Sequence, residues 1–319
     1  MEYRPLGRSG FQVSAIGLGG NTFGRACDER QTAQVVARAL ELGVNHFDCA
    51  DTYGGGGVSE RYLGKALGSR RKDVIIATKT GYPLGSGPNA DGLSRWRIVK
   101  SCEESLRRLG TDYVDVYYLH RPDPRTDIDE SLGALDDLVR QGKVRYAACS
   151  NYAGWEIARM CERAQSHGRA VPIVSQSRYS LLARQIEDEV IPACRAYGLG
   201  VVPFSPLAGG LLTGKYRAGE DVQPGVRGYG NARFERLLQE DVLAVIARLN
   251  DFAAARGESL GTVALAWLLA QPTVSSVIAG VTSPAQVDAN VAAAGCALST
   301  DEIAELEAIA ANLPEGVET

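Results

Sequence analysis

Titratable side chains close three successive apolar runs of this sequence. The first run ends at Asp48, and Tyr53 follows it ahead of a row of glycines. The next two apolar runs end at Lys79 and His120. A phenol is a weak acid with an ordinary pKa near ~10, and a neighbouring ammonium stabilises its phenolate. Brought together, these four groups form a proton-donating site, suited to a reaction that builds negative charge on an oxygen atom.

The three runs can bring these groups together only if they are parallel strands whose carboxyl ends share one edge. Each run is apolar up to its last residue, which is typical of a buried parallel strand. Helical patterns separate the runs, and parallel strands need such crossovers. Taken singly, each residue also has a structural interpretation. Tyr53 can be a half-buried aromatic in an acidic loop, Lys79 a strand-capping cation, and His120 the partner of a backbone group.

The same alternation of strand and helix continues along the chain. The predicted strands cover residues 13–18, 44–48, 74–79, 114–120, 144–150, 173–176, 200–204 and 274–279. The first predicted helix starts at Asp28, which forms a capping box with Gln31, and is closed by Gly43. The other predicted helices lie near residues 59–68, 95–109, 129–141, 153–166, 186–197, 237–256 and 259–270. Strands that alternate with helices across short loops predict an α/β fold, a (β/α)8 TIM barrel.

Two further elements are predicted at the ends of the barrel. Residues 3–10 contain a Gly-Arg-Ser-Gly turn and predict an N-terminal β-hairpin. Ser283 followed by Pro284 starts the last barrel helix, because proline suits the first helical turn. Ser299 and Glu302 have the spacing of a capping box and start an extra C-terminal helix that ends near residue 311.

A doubly wound sheet is the alternative to the barrel. Its dinucleotide-binding form requires a Gly-x-Gly-x-x-Gly turn between the first strand and a helix. The glycines after the first predicted strand, in Gly17-Leu18-Gly19-Gly20, have a different spacing. The barrel is therefore preferred. We recognise no linker, tandem repeat or low-complexity tract, so we predict one domain over residues 1–319.

Composition excludes several classes of protein. The chain has 319 residues, a net charge of −4 and no cluster of Lys and Arg, which argues against nucleic-acid and anionic-membrane partners. No apolar run approaches the ~18 residues of a membrane span, and the N-terminus lacks a secretory apolar core. The 7 cysteines show no CxxC spacing. That pattern predicts reduced thiols in a cytoplasmic protein, without a disulfide framework or a metal site.

The set Asp48, Tyr53, Lys79 and His120 resembles the Asp-Tyr-Lys-His tetrad of the aldo-keto reductases. The neighbouring segments FDCADTYG, GVSERYLGKAL, SLRRLGTDYVDVYYLHRPD and SPLAGGLLTGKY are also similar to that family. The resemblance extends from the first strand to Asn290, nearly the whole chain. It implies that Tyr53 is the general acid and Lys79 the modulator of its pKa. It further implies that Asp48 pairs with Lys79 and that His120 orients the carbonyl.

The resemblance also implies a nicotinamide cofactor bound at the same edge of the barrel. Ser150, Asn151 and Gln176 match polar groups that bind its carboxamide. Phe204 matches the aromatic residue that stacks on the nicotinamide, which is commonly Tyr or Trp. The other positions implied to contact the cofactor are Gly20, Asn21, Asp48, Ser205, Leu207, Lys215, Arg227, Gly280, Thr282, Gln286 and Asn290.

The segment after the last strand departs from one branch of the family. The Lys and Arg that hold a 2′-phosphate in that branch are Gly280 and Gln286 here, and Ala289 replaces an acidic contact to adenine. A phosphate dianion favours a cationic partner. Thr282 offers a hydroxyl, and Arg227 offers a charge. We therefore predict NADP(H) as the cofactor, with NAD(H) or dual use left open.

The leading functional prediction is NAD(P)H-dependent reduction of small aldehydes and ketones. The resemblance leaves two alternatives: an NAD(P)-dependent sugar or alcohol dehydrogenase, and a cofactor-binding regulatory subunit like the channel β subunits of this fold. The predicted partner is a small carbonyl compound. The loop over residues 121–126 is short, and the tail after residue 311 is brief and polar, which predicts an open pocket. The residues predicted to line that pocket are Phe23, Tyr53, Trp96 and His120.

Overall fold

Eight parallel strands form a nearly closed barrel, preceded by a two-stranded antiparallel hairpin. The computed structural model describes residues 1–216 and 237–314. The hairpin strands are β1 (Tyr3–Pro5) and β2 (Gln12–Ser14). The barrel strands are β3 (Ile16–Gly19), β4 (His46–Asp48), β5 (Ile75–Thr80), β6 (Val114–Leu119), β7 (Val144–Ser150), β8 (Val174–Arg178), β9 (Gly200–Phe204) and β10 (Val277–Gly280). This arrangement confirms the predicted (β/α)8 barrel and its N-terminal hairpin.

Strand order follows the chain from β3 to β9, with β10 beside β3. Closure comes from backbone hydrogen bonds just before β10. Val201 of β9 donates its N–H to the Thr273 carbonyl at 2.9 Å and accepts from the Ser275 N–H at 2.9 Å. Because the strands are parallel, all their carboxyl ends lie on one rim of the barrel.

Helices surround the strands and mostly begin where the capping residues predict. Asp28 accepts a hydrogen bond from the Gln31 backbone in a capping box, and Ser299 does the same with Glu302. The described helices are α1 (Glu29–Glu41), α2 (Tyr53–Gly56), α3 (Val58–Leu67), α4 (Arg95–Leu109), α5 (Ile128–Arg140), α6 (Gly154–Ser166), α7 (Val190–Tyr197), α8 (Glu240–Ala255), α9 (Leu260–Leu269), α10 (Pro284–Ala292) and α11 (Thr300–Ala310). None of the helices within residues 1–216 and 237–314 has both the length and the apolarity needed to cross a membrane.

Side chains alternate between two apolar cores along each strand, as the two-residue period of a strand requires. The larger core joins strands to helices and contains Ile76 of β5 and Tyr117 of β6. The smaller core fills the barrel and contains Ala77 and Tyr118, the next residues along the same strands. Lys79 follows Ala77 on the inward face, so the alternation directs its ammonium into the barrel near the carboxyl rim.

The first barrel strand differs from its prediction. Residues 12–14 belong to the hairpin, where Val13 pairs with Arg4, and the barrel strand begins only at Ile16. Residues 13–18 form one almost unbroken apolar run, so the prediction of a single strand there was wrong. The last strand is also shorter at its start than predicted. Val274 makes only an isolated bridge to Val201, and β10 begins at Val277.

Candidate active site

The four tetrad residues lie together at the carboxyl rim. Asp48 ends β4, Lys79 is the penultimate residue of β5, and His120 directly follows β6. Parallel pairing aligns these strands, and the His120 N–H donates to the Thr80 carbonyl at 2.8 Å. Tyr53 begins the short helix α2 in the loop after β4. The structure thus brings together all four side chains that the sequence singled out.

A buried ion pair forms the base of the site. The Lys79 ammonium donates to Asp48 Oδ2 at 2.5 Å and to the Cys49 carbonyl at 2.8 Å. Gln176 Nε2 donates to the other oxygen of Asp48 at 2.9 Å. Burial acts to lower the pKa of Lys79, but Asp48 and Tyr53 outweigh it, so the pKa lies above its usual value. Lys79 is therefore a fixed, charged ammonium.

Tyr53 lies directly against this ammonium. Lys79 Nζ is 5.1 Å from the centroid of the Tyr53 ring, and the His120 ring packs edge-on at a centroid distance of 6.0 Å. Burial raises the pKa of Tyr53 above its ordinary value, and the charge and hydrogen bond of Lys79 offset this only in part. Lys79 thus acts to lower the pKa of Tyr53, as its position beside a phenol implies, but burial outweighs it and the net shift is upward. The phenol stays protonated at neutral pH.

His120 is a neutral imidazole in this site. Burial lowers its pKa to about 2, and the charges of Lys79 and Arg121 add to that effect. The Tyr82 ring packs edge-on against it at a centroid distance of 4.6 Å. Its Nδ1 is buried and, within residues 1–216 and 237–314, has no hydrogen-bond partner. A neutral imidazole of this kind can donate a hydrogen bond to a carbonyl oxygen without competing as a proton donor.

We expect the His120 imidazole to show no titration between about pH 5 and pH 8, unlike an ordinary histidine. Its depressed pKa means that the ring is deprotonated throughout that range. The measurement is the ring C–H chemical shift of His120 against pH, with the resonance assigned by comparison with His120→Gln. A sigmoidal shift with a midpoint in that range would contradict the neutral assignment.

Polar groups at the ends of β7 and β8 lie next to the tetrad. Asn151 Nδ2 donates to the His120 carbonyl at 2.9 Å and to Ser150 Oγ at 3.0 Å, and its N–H donates to the Gln176 carbonyl at 3.1 Å. Asn151 has a φ of 62°, a conformation that asparagine tolerates better than most residues. Amide and hydroxyl groups gathered in this way match the donors and acceptors of a carboxamide. The set fits the nicotinamide that the sequence predicts.

The loop after β9 contains the next group of predicted cofactor residues. Phe204 ends β9 half-buried, and Ser205 follows with a φ of 53°. Leu207 precedes a 3-10 segment over Ala208–Thr213, and Lys215 is exposed beyond it. The predicted contact at position 227 lies outside the described residues, so Arg227 stays a prediction.

The residues after β10 approach the start of the barrel. A Cβ built on Gly280 would lie 3.1 Å from Asn21 Oδ1, so both predicted cofactor residues occupy one corner of the rim. Gln286 Oε1 accepts from the Thr282 N–H at 2.7 Å and from its hydroxyl at 3.2 Å. Asn290 is buried on α10. Thr282 thus donates both of its hydrogen bonds to the Gln286 side chain.

Three remaining predicted residues lie at different depths. Gly20 is buried, and its carbonyl accepts from Ser59 Oγ at 2.7 Å. Phe23 is only 1% exposed and packs in the larger core, so its ring offers no free surface to a substrate. Trp96 is 53% exposed in the first turn of α4, where Lys100 Nζ lies 4.7 Å from its ring centroid. Of the two aromatic pocket residues predicted besides Tyr53, only Trp96 is accessible.

Several groups near the site were not assigned a role from the sequence. Tyr82 lies between His120 and Arg121, whose guanidinium carbon is 4.6 Å from the Tyr82 ring centroid. Asp51 is fully buried and bonds to Arg97 of α4. The sequence shows an acidic residue, Asp51, two positions before Tyr53, but no local pattern links it to Arg97, which lies 46 positions further along the chain.

Known proteins are similar to this chain along nearly all of its length. The model of the Aldo/keto reductase family matches residues 15–311. The chain is 37% identical over 329 residues to a probable voltage-gated potassium channel subunit beta of Oryza sativa subsp. japonica, covering 100% of this chain and 99% of that protein. It is 39% identical over 290 residues to the uncharacterized oxidoreductase YrpG of Bacillus subtilis (strain 168), covering 88% and 87%.

A third relative carries a more specific description. It is the L-glyceraldehyde 3-phosphate reductase of Escherichia coli O157:H7, 34% identical over 319 residues that cover 96% of this chain and 92% of the relative. The relatives thus include both oxidoreductases and channel subunits. Since the family model spans every barrel strand and the tetrad, the chain belongs to the aldo/keto reductase family.

Proposed function

We propose that this protein is an NAD(P)H-dependent oxidoreductase that reduces small aldehydes and ketones to alcohols, with Tyr53 as the general acid. The observation that carries the proposal is the buried Lys79–Asp48 pair beside a partly exposed phenol. Placing an ammonium out of water costs solvation free energy, and a salt bridge there is weak evidence for stability. Its position against the Tyr53 ring supports a role in chemistry.

The residues have complementary roles around a carbonyl oxygen. The reduced nicotinamide, when bound, supplies a hydride to the carbonyl carbon. Negative charge then develops on the oxygen, and the Tyr53 phenol donates its proton there. Lys79, held in place by Asp48, stabilises the phenolate that remains. Neutral His120 hydrogen-bonds the same oxygen and orients it toward Tyr53.

The high pKa of Tyr53 suits this order of events. Because burial keeps the phenol protonated at neutral pH, its proton is available whenever a substrate arrives. An alkoxide is a much stronger base than a phenolate, so the transfer is downhill once charge has developed on oxygen. Lys79 acts at that moment, because its attraction to the phenolate is stronger in a water-poor site than in solvent.

For the cofactor, we propose NADPH. The candidates for recognising the 2′-phosphate are Arg227, Thr282 and Gln286. The Thr282 N–H and hydroxyl lie at the start of the segment before α10, where a phosphate can accept hydrogen bonds. When a phosphate binds there, the hydrogen bonds from Thr282 to Gln286 must rearrange. This cost weakens the preference for NADPH over NADH and leaves use of both cofactors open.

We expect purified protein to consume NADPH with a range of short, activated aldehydes, and NADH more weakly. We expect a range of aldehydes because the rim is exposed: Trp96 is half-exposed, and the loop over residues 121–126 is short. The measurement is the absorbance of the reduced nicotinamide, with parallel NADPH and NADH series and a panel that includes a phosphorylated aldehyde. Absence of turnover across the panel, or activity restricted to one bulky ketone, would contradict the proposal.

A regulatory role is the second candidate, because the Oryza sativa relative is described as a probable voltage-gated potassium channel subunit beta. Cofactor binding without turnover of any carbonyl or alcohol would favour the regulatory role.

A dehydrogenase uses the same site in reverse, with the Tyr53 phenolate as base. Alcohol oxidation with NADP⁺ that exceeds aldehyde reduction would favour that direction.

A further inference from the structure

Helix α4 contacts the Tyr53 segment at both of its ends, through a buried ion pair at one end and a partly buried ion pair at the other. Asp51 precedes Tyr53, Glu60 follows the glycines, and both carboxylates are 0% exposed. Arg97 in the first turn of α4 pairs with Asp51, and Arg108 in its last turn pairs with Glu60. One helix therefore holds residues 51–60 at two points on either side of the proposed acid.

The first ion pair fixes the loop that enters Tyr53. Asp51 Oδ2 accepts from Arg97 Nη2 at 3.0 Å and from Ser101 Oγ at 2.7 Å. The Asp51 N–H donates to the carbonyl of Lys79 at 3.2 Å. Asp51 thus connects the loop before Tyr53 both to α4 and to the strand that carries the ammonium.

The second ion pair fixes the segment that leaves Tyr53. Glu60 Oε2 accepts from Arg108 Nε at 2.6 Å, and its other oxygen accepts from Thr78 Oγ1 at 2.5 Å. Thr78 is the residue before Lys79 on β5. A Cβ added to Gly57 would lie 2.2 Å from Arg108 Nε, so the guanidinium packs directly on the backbone of the glycine run.

The segment between the two ion pairs has little rigidity of its own. All four glycines after Tyr53 have positive φ, at 71°, 79°, 94° and 78°. Glycine gains the most freedom in the unfolded chain, and such a run adopts many conformations unless neighbours restrict it. The position of the Tyr53 hydroxyl must therefore be set by contacts outside the run.

We propose that Arg97 and Arg108 are positioning residues, which hold the Tyr53 hydroxyl over Lys79 by fixing Asp51 and Glu60. A buried ion pair usually contributes little net stability compared with apolar residues of the same shape, whereas its directional bonds specify position. The inference rests on the proposed function, since it concerns the residue proposed to donate the proton. The proposal adds to the site two residues of α4 that lie outside the tetrad and outside the proposed cofactor contacts.

The test compares kcat with KM in Arg97→Gln and Arg108→Gln. We expect kcat for aldehyde reduction to fall on the order of 10- to 100-fold, because a small displacement of a reacting group costs rate on that scale. The KM for the aldehyde and the Kd for NADPH are expected to change less than about twofold. Arg97→Lys keeps one donor for Asp51 and should recover most of kcat. Arg107→Gln is the matched control, since Arg107 is exposed on the same helix.

Removing one partner of a buried pair can prevent folding, so a second variant supports the comparison. Asp51→Asn/Arg97→Gln removes both charges, so neither partner is left as an unpaired buried charge, and it should fold yet still lose kcat. Circular dichroism at the assay temperature establishes that each variant is folded. Folded variants with kcat within about twofold of the native enzyme would overturn the proposal, as would a loss no larger than that of Arg107→Gln. Normal turnover by Tyr53→Phe would instead refute the proposed function.

Discussion

Tyr53→Phe is expected to lower kcat for aldehyde reduction by about 10²- to 10⁴-fold, the usual contribution of a positioned general acid. The substitution keeps the ring that packs against His120 and Lys79 and removes only the hydroxyl. Charge that develops on the carbonyl oxygen then lacks the proposed proton donor, and the neutral His120 and the Asp48-bound Lys79 are poorer substitutes for it. Steady-state kinetics with a saturating aldehyde measure the loss.

The control for this variant is cofactor affinity. NADPH binding, followed by the quenching of tryptophan fluorescence, should be unchanged, because the proposed carboxamide contacts are Ser150, Asn151 and Gln176. A variant that turns over at the native rate would contradict the assignment of Tyr53. A variant that loses NADPH binding as well as turnover would assign Tyr53 to cofactor binding instead.

Lys79→Met is expected to have the largest combined effect on stability and activity. Both charges of the pair are buried, with side chains 0% and 3% exposed. Methionine leaves Asp48 without its cation, and breaking a buried pair in this way costs about 3–5 kcal/mol of unfolding free energy. The same change removes the charge that stabilises the Tyr53 phenolate, so kcat should fall by a factor comparable with that of Tyr53→Phe. Urea denaturation and steady-state kinetics measure the two effects.

A double variant separates the two contributions. In Asp48→Asn/Lys79→Met neither charge of the Lys79–Asp48 pair remains, and Gln176 retains an amide oxygen as its acceptor at position 48. Unfolding free energy should therefore recover much of its native value, whereas activity should not. Recovery of activity together with stability would show that the ammonium serves only the fold.

The sequence was most informative where an apolar strand ended in one titratable residue. Asp48, Lys79 and His120 each follow such a run, and parallel pairing then places them on one rim without further information. The fold followed from the alternation of strands and helices for the same reason. Predictions from local pattern succeeded because each element is specified by its own residues.

Three features depended on contacts that local pattern does not contain. The break between hairpin and barrel falls near Ala15, inside an apolar run, and is set by Val13 and Leu6 entering the barrel interior. The net shift of the Tyr53 pKa depends on how far burial outweighs the charge of Lys79. The pairing of Arg97 with Asp51 also spans 46 positions of the chain. Each of these requires the packed structure.

The hairpin covers the amino-terminal end of the barrel, opposite the rim that carries Tyr53. Leu6 packs inside the barrel, and Gly7 lies so close to the start of β8 that an added Cβ would come within 2.0 Å of the Ile173 carbonyl. Met1 lies beside Gly43, ahead of the start of β4, and is therefore on the face away from Tyr53. Tethering the protein to a solid support through residue 1 should therefore leave the rim that carries Tyr53 accessible to diffusing molecules.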